Sequence, residues 1–215
     1  MTRLPDGYFE GLYSSSDDPW SLASRWYEQR KYAITLAMLP RPRYRHAFEP
    51  GCSVGVLTEQ LTHRCERVTA TDVAAAALDA TGRRLEDAGR RDQVKLLGQS
   101  VDAPWPREDF DLVVLSEVGY YLSAQNLRDT LGRECRMLAD TTVIAAHWRH
   151  PVADYLMPGD VVHQVISDTA GLHHIGRYRD SDVVIEVFDT ATGASVAQRT
   201  HVPGVASAGP EPAGG

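Results

Sequence analysis

The sequence predicts an α/β domain built on a doubly wound, mostly parallel β-sheet. Strand and helix patterns alternate through the middle of the chain, and the clearest buried strand is the run Asp-Leu-Val-Val-Leu-Ser at 111–116. This alternation is typical of parallel strands joined by crossover helices. Two later strand patterns, His173 to Tyr178 and Val183 to Phe188, lie close enough in the chain to form a hairpin. They predict an antiparallel pair that completes the sheet.

Individual elements follow from local composition. The alanine-rich stretch 74–88 favours a helix, and Gly89 is placed to end it. Before it we expect a strand ending at 48–49, a helix over 54–64 and a strand over 67–72. After it we expect strands over 94–97, 111–116 and 141–146, with helices over 126–138 and 161–170.

The chain of 215 residues suits a single domain. We expect this domain to span residues 1–202, with its core at 44–190. The N-terminal segment 1–40 is rich in aromatic side chains, which favours packing onto that core. Residues 203–215 have almost nothing to bury and are expected to form a disordered tail.

Composition limits the partners that we expect. The net charge of −7 and the isoelectric point of about 5.6 argue against nucleic-acid binding. The N-terminus lacks the apolar region of a signal peptide, and no apolar run is long enough to span a bilayer. Three cysteines without metal-ligand spacing indicate reduced thiols. We therefore expect a cytoplasmic protein with no membrane partner, and we assign no metal-binding residues; a divalent-metal requirement and the oligomeric state stay open.

A glycine loop, Glu-Pro-Gly-Cys-Ser-Val-Gly at 49–55, follows the first strand. Gly51 permits a tight turn and a close backbone approach to a ligand, because it has no Cβ. The dinucleotide fingerprint would place further glycines at 53 and 56, where this chain has Ser53 and Val56. This departure argues against a nicotinamide dinucleotide as the cofactor.

Asp72 ends the second strand, twenty-one residues after Gly51. A carboxylate at that place can accept hydrogen bonds from two ribose hydroxyls. The two features together predict a cofactor at the carboxyl ends of the strands.

The glycine loop, Asp72 and the strand Phe-Asp-Leu-Val-Val at 110–114 resemble the class I S-adenosylmethionine-dependent methyltransferases. The resemblance implies a Rossmann-like, seven-stranded sheet with an antiparallel C-terminal hairpin and an N-terminal helical lid. It also implies S-adenosyl-L-methionine as cofactor and S-adenosyl-L-homocysteine as product. The core positions that it implies for cofactor binding are Glu49, Gly51, Cys52, Gly55, Asp72, Val73, Ser100, Val101 and Ser116, with Asp102 left as an alternative beside Ser100 and Val101.

A closer resemblance lies in three segments: Asp-Pro-Trp at 18–20, Trp-Tyr-Glu-Gln-Arg-Lys-Tyr at 26–32 and Leu-Ser-Glu-Val-Gly-Tyr-Tyr-Leu at 115–122. These resemble the NodS-like methyltransferases, and that group and related sugar methyltransferases act on saccharides. The resemblance implies that the N-terminal segment covers the cofactor. Trp20 and Arg30 are its candidate contacts, with Arg30 suited to the cofactor carboxylate.

Candidate catalytic groups follow the fifth strand, where the sequence reads Ala-His-Trp-Arg-His-Pro at 146–151. His147 is the candidate general base, because histidine titrates near neutral pH. Glu117, after the fourth strand, is the competing base. The candidate acceptor contacts are Tyr120, Arg149, His150 and Tyr155.

We therefore expect methyl transfer to a hydroxyl of a sugar or oligosaccharide. N-methylation of an amino sugar is the alternative within the same enzyme class, and it depends less on a general base. Two other classes stay open at this stage: a nicotinamide-dependent oxidoreductase and a cofactor-binding module without catalysis. In each case the expected partner is a small molecule or an oligosaccharide.

Overall fold

The computed structural model describes residues 1–191 and 195–205, and its centre is one seven-stranded sheet. The strands are β1 (Tyr44–Pro50), β2 (Cys65–Asp72), β3 (Val94–Gly98), β4 (Leu112–Ser116), β5 (Thr142–Trp148), β6 (His173–Arg179) and β7 (Val183–Asp189). Their order across the sheet is β3-β2-β1-β4-β5-β7-β6. Strands β1 to β5 are parallel, whereas β7 is antiparallel to both β5 and β6. The predicted fold class is confirmed.

Helices cover both faces of the sheet. They are α1 (Asp6–Ser15), α2 (Trp26–Met38), α3 (Val56–Leu61), α4 (Ala75–Asp87), α5 (Ala124–Glu134), α6 (Gly159–Ser167) and α7 (Val196–Arg199). Side chains of α1 to α4 pack in one apolar cluster, and those of α5 and α6 pack in a second cluster. Alternate residues of each central strand point to opposite faces, so Val114 and Ile144 join the first cluster while Val113 and Val143 join the second.

Helix ends follow local backbone chemistry. Gly55 precedes α3 with a positive φ of +75°, so this helix begins two residues later than the predicted position 54. The Ser123 hydroxyl accepts a hydrogen bond from the Asn126 amide and caps α5, which begins earlier than predicted. Gly89, with φ +65°, follows the end of α4 as expected.

Strand β5 ends two residues later than predicted, at Trp148. His147 and Trp148 pair with Val184 and Val183 of β7, so both belong to the sheet and not to a loop beyond it. Because neighbouring strand residues face opposite sides, only one of these two side chains can face α2.

The N-terminal segment lies on the core. The Leu4 amide donates to the Tyr121 carbonyl at 3.0 Å, and the Ser123 amide donates to the Thr2 carbonyl at 2.7 Å. Among the described residues, no helix has the length and apolar character needed to cross a membrane. Most of the tail predicted at 203–215, namely 206–215, lies outside the described residues.

Candidate active site

A cavity of about 400 Å³ opens at the carboxyl ends of the parallel strands. Its floor comes from the glycine loop and the ends of β2 and β4, and its walls come from α1, α2 and the segments that follow β4 and β5. Ligands of open α/β sheets bind at this edge. The cavity is therefore the candidate site.

The glycine loop holds its backbone close to the cavity. The amides of Gly51 and Cys52 both donate to the Thr71 carbonyl, at 2.7 and 2.9 Å. Gly51 has φ +75°, and a Cβ there would collide with Val118. Gly51 and Cys52 line the cavity as expected. Gly55 does not, and its missing Cβ instead lets the backbone approach Thr81 of α4.

Asp72 joins the end of β2 to this loop. One carboxylate oxygen accepts from the Ser53 amide at 2.9 Å, and the other accepts from the Ala74 amide at 3.0 Å. Burial raises the pKa of Asp72, although these backbone hydrogen bonds act in the opposite direction. The side chain lines the cavity, where its remaining lone pairs could accept hydrogen bonds from a ribose.

Glu49 is a buried acid at the end of β1 that also lines the cavity. Its Oε2 atom has no hydrogen-bond partner among the described residues. Burial raises its pKa to about 8. A buried polar atom without a partner is costly, so this oxygen is placed to form a hydrogen bond with a ligand.

The loop after β3 carries Ser100, Val101 and Asp102, among which the sequence left the cofactor contacts open. Val73, Ser100 and Val101 line the cavity, whereas Asp102 does not. The Asp102 carboxylate instead lies behind them, where it accepts from the side chains of Ser100 and Asn126. Ser116, at the end of β4, lines the cavity as expected.

Helix α1 contacts the glycine loop directly. The hydroxyls of Tyr13 and Ser53 lie 2.6 Å apart. Trp20 packs edge-on against Tyr13, with ring centroids 5.8 Å apart, and both line the cavity. The N-terminal segment thus forms one wall of the cavity.

Arg30 does not line the cavity, and its expected role requires correction. Its guanidinium binds the Asp180 carboxylate at 2.8 Å and the Tyr178 hydroxyl, next to the β6–β7 turn. Arg25, immediately before α2, lines the cavity instead. Within residues 1–191 and 195–205, its side chain has no hydrogen bond or ion pair. The cause is helical phase, since Arg30 lies on the side of α2 that faces β6 and β7.

Glu117 lines the cavity directly after β4, close to Tyr120 and Trp148. It follows β4 with a positive φ of +58°, which is uncommon for a residue other than glycine. Its Oε1 accepts from Lys31 Nζ at 2.8 Å. Its Oε2 accepts from the Trp148 amide at 3.0 Å and from the Tyr120 hydroxyl. Both oxygens of this candidate base are therefore already hydrogen-bonded.

Lys31 of α2 is a functional candidate that the sequence analysis did not identify. It is only 1% exposed and binds Glu28 at 2.7 Å as well as Glu117. Burial disfavours its charged form, but the two carboxylates outweigh burial and raise its pKa. The available signal was the segment 26–32, which carries both Glu28 and Lys31.

Aromatic rings line the cavity around the side chains of Lys31, Glu28 and Glu117. Tyr27 packs edge-on against Trp148, with ring centroids 5.0 Å apart. Tyr155 stacks on Tyr120 at 3.9 Å. All four line the cavity, which includes the expected acceptor contacts Tyr120 and Tyr155.

His147 is not in the cavity, and its expected role as the base requires correction. The side chain is fully buried on the α6 side of the sheet, while Trp148 faces the cavity. Its Nε2 accepts from the Gly119 amide at 3.1 Å, and its Nδ1 lies 3.1 Å from His163 Nε2. Burial lowers its pKa well below the usual value. It therefore cannot touch an acceptor in this structure.

Arg149 and His150 also lie outside the cavity. Arg149 binds the Asp160 carboxylate at 2.9 Å, and His150 binds Asp182 at 2.8 Å. Neither residue is therefore placed to contact an acceptor, and both expected roles require correction. Arg149 binds α6, and His150 binds the β6–β7 turn.

Residues 13–155 match the family model of nodulation protein S, NodS, which is more than half of the chain. The chain belongs to the NodS family. The match includes α2, the glycine loop, Asp72 and Glu117, so the cavity described above lies largely within the NodS region.

NodS proteins of known sequence show the same relationship. The chain is 35% identical to nodulation protein S of Rhizobium tropici over 127 residues, which are 58% of this chain and 52% of that protein. It is 37% identical to the Bradyrhizobium diazoefficiens protein over 107 residues, or 49% of this chain and 50% of the relative. The chain spans about half the length of the curated relatives it matches.

Solved structures have the same fold. A Pseudomonas syringae protein provisionally named a methyltransferase is 31% identical, with a TM-score of 0.65 over 77% of this chain and 99% of that one. The N-methyltransferase NodS from Bradyrhizobium japonicum WM9, solved with S-adenosyl-L-homocysteine, has a TM-score of 0.75 at 22% identity, over 86% of this chain and 97% of that one. The second likeness concerns the fold alone.

Proposed function

We propose that this NodS-family chain is an S-adenosyl-L-methionine-dependent methyltransferase that methylates an amine of a small-molecule or oligosaccharide acceptor. The observation that carries the choice of an amine is the state of the two candidate bases. His147 is buried away from the cavity, and both Glu117 oxygens are already hydrogen-bonded. A hydroxyl acceptor benefits from a base, whereas a neutral amine needs none.

The cofactor side of the cavity suits S-adenosyl-L-methionine. Asp72 lines the cavity where a ribose would be held, and Gly51 lines the same cavity, where the lack of a Cβ avoids a clash with Val118. Among the described residues, one Glu49 oxygen and the Arg25 side chain have no partner, so they offer one hydrogen-bonding oxygen and one cation. Arg25 thereby replaces Arg30 as the residue proposed for the cofactor carboxylate.

The acceptor side of the cavity favours a nitrogen that becomes positively charged. S-adenosyl-L-methionine, when bound, supplies an electrophilic methyl group. When both are ionised, Glu28 and Glu117 carry two negative charges against the one positive charge of Lys31, although burial raises the pKa of Glu28. These carboxylates stabilise positive charge at the acceptor nitrogen, and the rings of Tyr27 and Trp148 favour a cation as well.

Paired acceptors test this proposal. The purified chain would be incubated with methyl-labelled cofactor and either a glucosamine-containing oligosaccharide or its fully N-acetylated form, with simple amines in parallel. The expected result is label transfer only to acceptors with a free amine. Equal transfer to the N-acetylated form would favour hydroxyl methylation, which was the first expectation from the sequence.

A further inference from the structure

The turn at 119–121, between β4 and α5, lies between the cavity and the α6 side of the sheet, where His147 is buried. Tyr120 and Tyr121 of this turn line the cavity. The Tyr120 carbonyl accepts from the Leu156 amide at 2.9 Å, and Tyr120 also donates its hydroxyl to Glu117. The position of this turn therefore sets the position of the acceptor side.

The Gly119 amide that begins the turn donates to a side chain, His147 Nε2, at 3.1 Å. The fit is tight, because a Cβ on Gly119 would collide with Val162 of α6 and lie 3.1 Å from His147 Nε2. Glycine at 119 thus permits the approach on which this hydrogen bond depends.

His147 is the first member of a buried chain of hydrogen bonds. Its Nδ1 lies 3.1 Å from His163 Nε2, and His163 Nδ1 lies 2.7 Å from Glu186 Oε2. These three side chains are at most 2% exposed. The other Glu186 oxygen binds Arg177 at 2.7 Å and lies 3.1 Å from His174 Nε2 at the protein surface.

The two ends of this row of hydrogen bonds, the Gly119 amide and the Glu186 carboxylate, determine where each proton lies. Because His147 Nε2 accepts from an amide, a neutral His147 carries its proton on Nδ1 and donates it to His163 Nε2. His163 then carries its proton on Nδ1 and donates it to the Glu186 carboxylate. Each member has one complementary partner in each direction, which fixes both histidine tautomers.

We propose that His147, His163 and Glu186 are positioning residues that hold the 119–121 turn, and with it Tyr120, in the arrangement that an acceptor requires. His147 acts in this role as a neutral ring protonated on Nδ1. The proposal rests on the proposed function only where acceptor turnover is measured.

Acid should release the turn, because a proton on His147 Nε2 would face the Gly119 N–H and remove the acceptor. His163 from α6 and Tyr120 from the turn contact His147, and Lys31 of α2 acts on it electrostatically from the other side of the sheet. Glu117 binds both Lys31 and Tyr120. Burial, His163 and Lys31 lower the pKa of His147 well below its usual value, so the neutral form persists at neutral pH.

Two substitutions of His147 separate its two hydrogen bonds. His147→Gln retains an acceptor near the Nε2 position for Gly119, whereas His147→Asn retains only a donor near the Nδ1 position for His163. For a labelled methyl group and glucosamine, we expect kcat/KM to fall about tenfold in His147→Asn and to recover to within about threefold in His147→Gln. The affinity for S-adenosyl-L-homocysteine should change less than about threefold in both, because that ligand is assigned to the glycine loop.

Nitrogen-15 NMR of the wild-type chain tests the same proposal without any variant or acceptor. The expected spectrum has His147 protonated on Nδ1 from pH 8 to below 6, with a scalar coupling between the Gly119 amide and Nε2. The proposal would be overturned if His147 had the opposite tautomer or titrated at the ordinary pKa of histidine. Equal kinetic losses in the Gln and Asn variants would overturn it as well. Absence of turnover by the wild type would count against the proposed function alone.

Discussion

Glu117 joins parts of the chain that are far apart in sequence. Its carboxylate binds Lys31 of α2, the Tyr120 hydroxyl and the backbone amide of Trp148. A φ of +58° at a residue other than glycine costs about 1–3 kcal/mol, so the surrounding contacts must hold the residue in place. This arrangement places a negative charge in the cavity at a fixed position.

Glu117→Gln removes that charge while keeping nearly the same shape. We expect kcat/KM for an amine acceptor to fall by about 10²–10³, because the carboxylate no longer stabilises charge on the nitrogen. Affinity for S-adenosyl-L-homocysteine, measured by calorimetry, should change little. The matched control is Glu10→Gln on the exposed side of α1, which should keep full activity. A fully active Glu117→Gln enzyme would remove Glu117 from the mechanism.

Arg25 and Arg30 form a second test at the residue scale. Arg25 lines the cavity, whereas Arg30 binds Asp180 outside it. Arg25→Gln should weaken S-adenosyl-L-homocysteine binding about tenfold, because a charge-assisted hydrogen bond is lost. Arg30→Gln should leave that affinity within about twofold. The reverse order of effects would restore the original assignment of Arg30.

The sequence predicted where the site lies better than it predicted what each side chain does there. Asp72, Gly51 and Glu117, which the sequence analysis selected, all line the cavity, because strand ends and glycine loops have local signatures. The sequence did not predict which way the His147 side chain points, since β5 ends two residues later than predicted and alternation places Trp148 in the cavity. Lys31 was missed because its partner Glu117 lies 86 positions away in the chain.

At the scale of elements, α1 and α2 convert an open sheet edge into an enclosed cavity. The aromatic density of segment 1–40 predicted packing onto the core, and both helices contribute cavity-lining side chains. The sheet itself was predictable, because five strands and the final hairpin each carry an apolar pattern. The depth of the cavity was not, since it depends on contacts such as Tyr13 to Ser53.

Tyr13→Phe tests whether α1 supports the cofactor side. The substitution removes the hydroxyl 2.6 Å from Ser53 and keeps the ring that packs on Trp20. We expect affinity for S-adenosyl-L-homocysteine to fall about three- to tenfold, the usual effect of one lost hydrogen bond. Tyr44→Phe is the matched control, because the Tyr44 hydroxyl lies in the core, 3.3 Å from Thr142. Equal effects of the two variants would show that α1 does not act on the cofactor side.

At the scale of the whole molecule, buried histidine links stability to pH. The pKa of His147 is lowered in the folded chain, mainly by burial, whereas the unfolded value is about 6.5. Below pH 6.5 the unfolded state therefore binds a proton that the folded state does not. The resulting destabilisation is absent above that pH and grows as the pH falls.

His147→Gln should therefore reduce the acid sensitivity of folding. Between pH 7.5 and 5.5 we expect the wild type to lose about 1.4 kcal/mol more unfolding free energy than the variant. His46, whose pKa burial also lowers, is present in both proteins and does not affect the difference. Denaturant unfolding at the two pH values measures it. Parallel losses in both proteins would mean that His147 takes up its proton in the folded state.

In the proposed function, the cavity combines a cofactor side built on the glycine loop with an acceptor side built on Glu117. The central claim is that this combination directs a methyl group to nitrogen. The most direct measurement uses one acceptor that offers both atoms, glucosamine, with carbon-13-labelled S-adenosyl-L-methionine. NMR of the product then identifies the methylated atom. The account predicts a label on the amine nitrogen alone, and a label on a hydroxyl oxygen with the amine unmodified would contradict it.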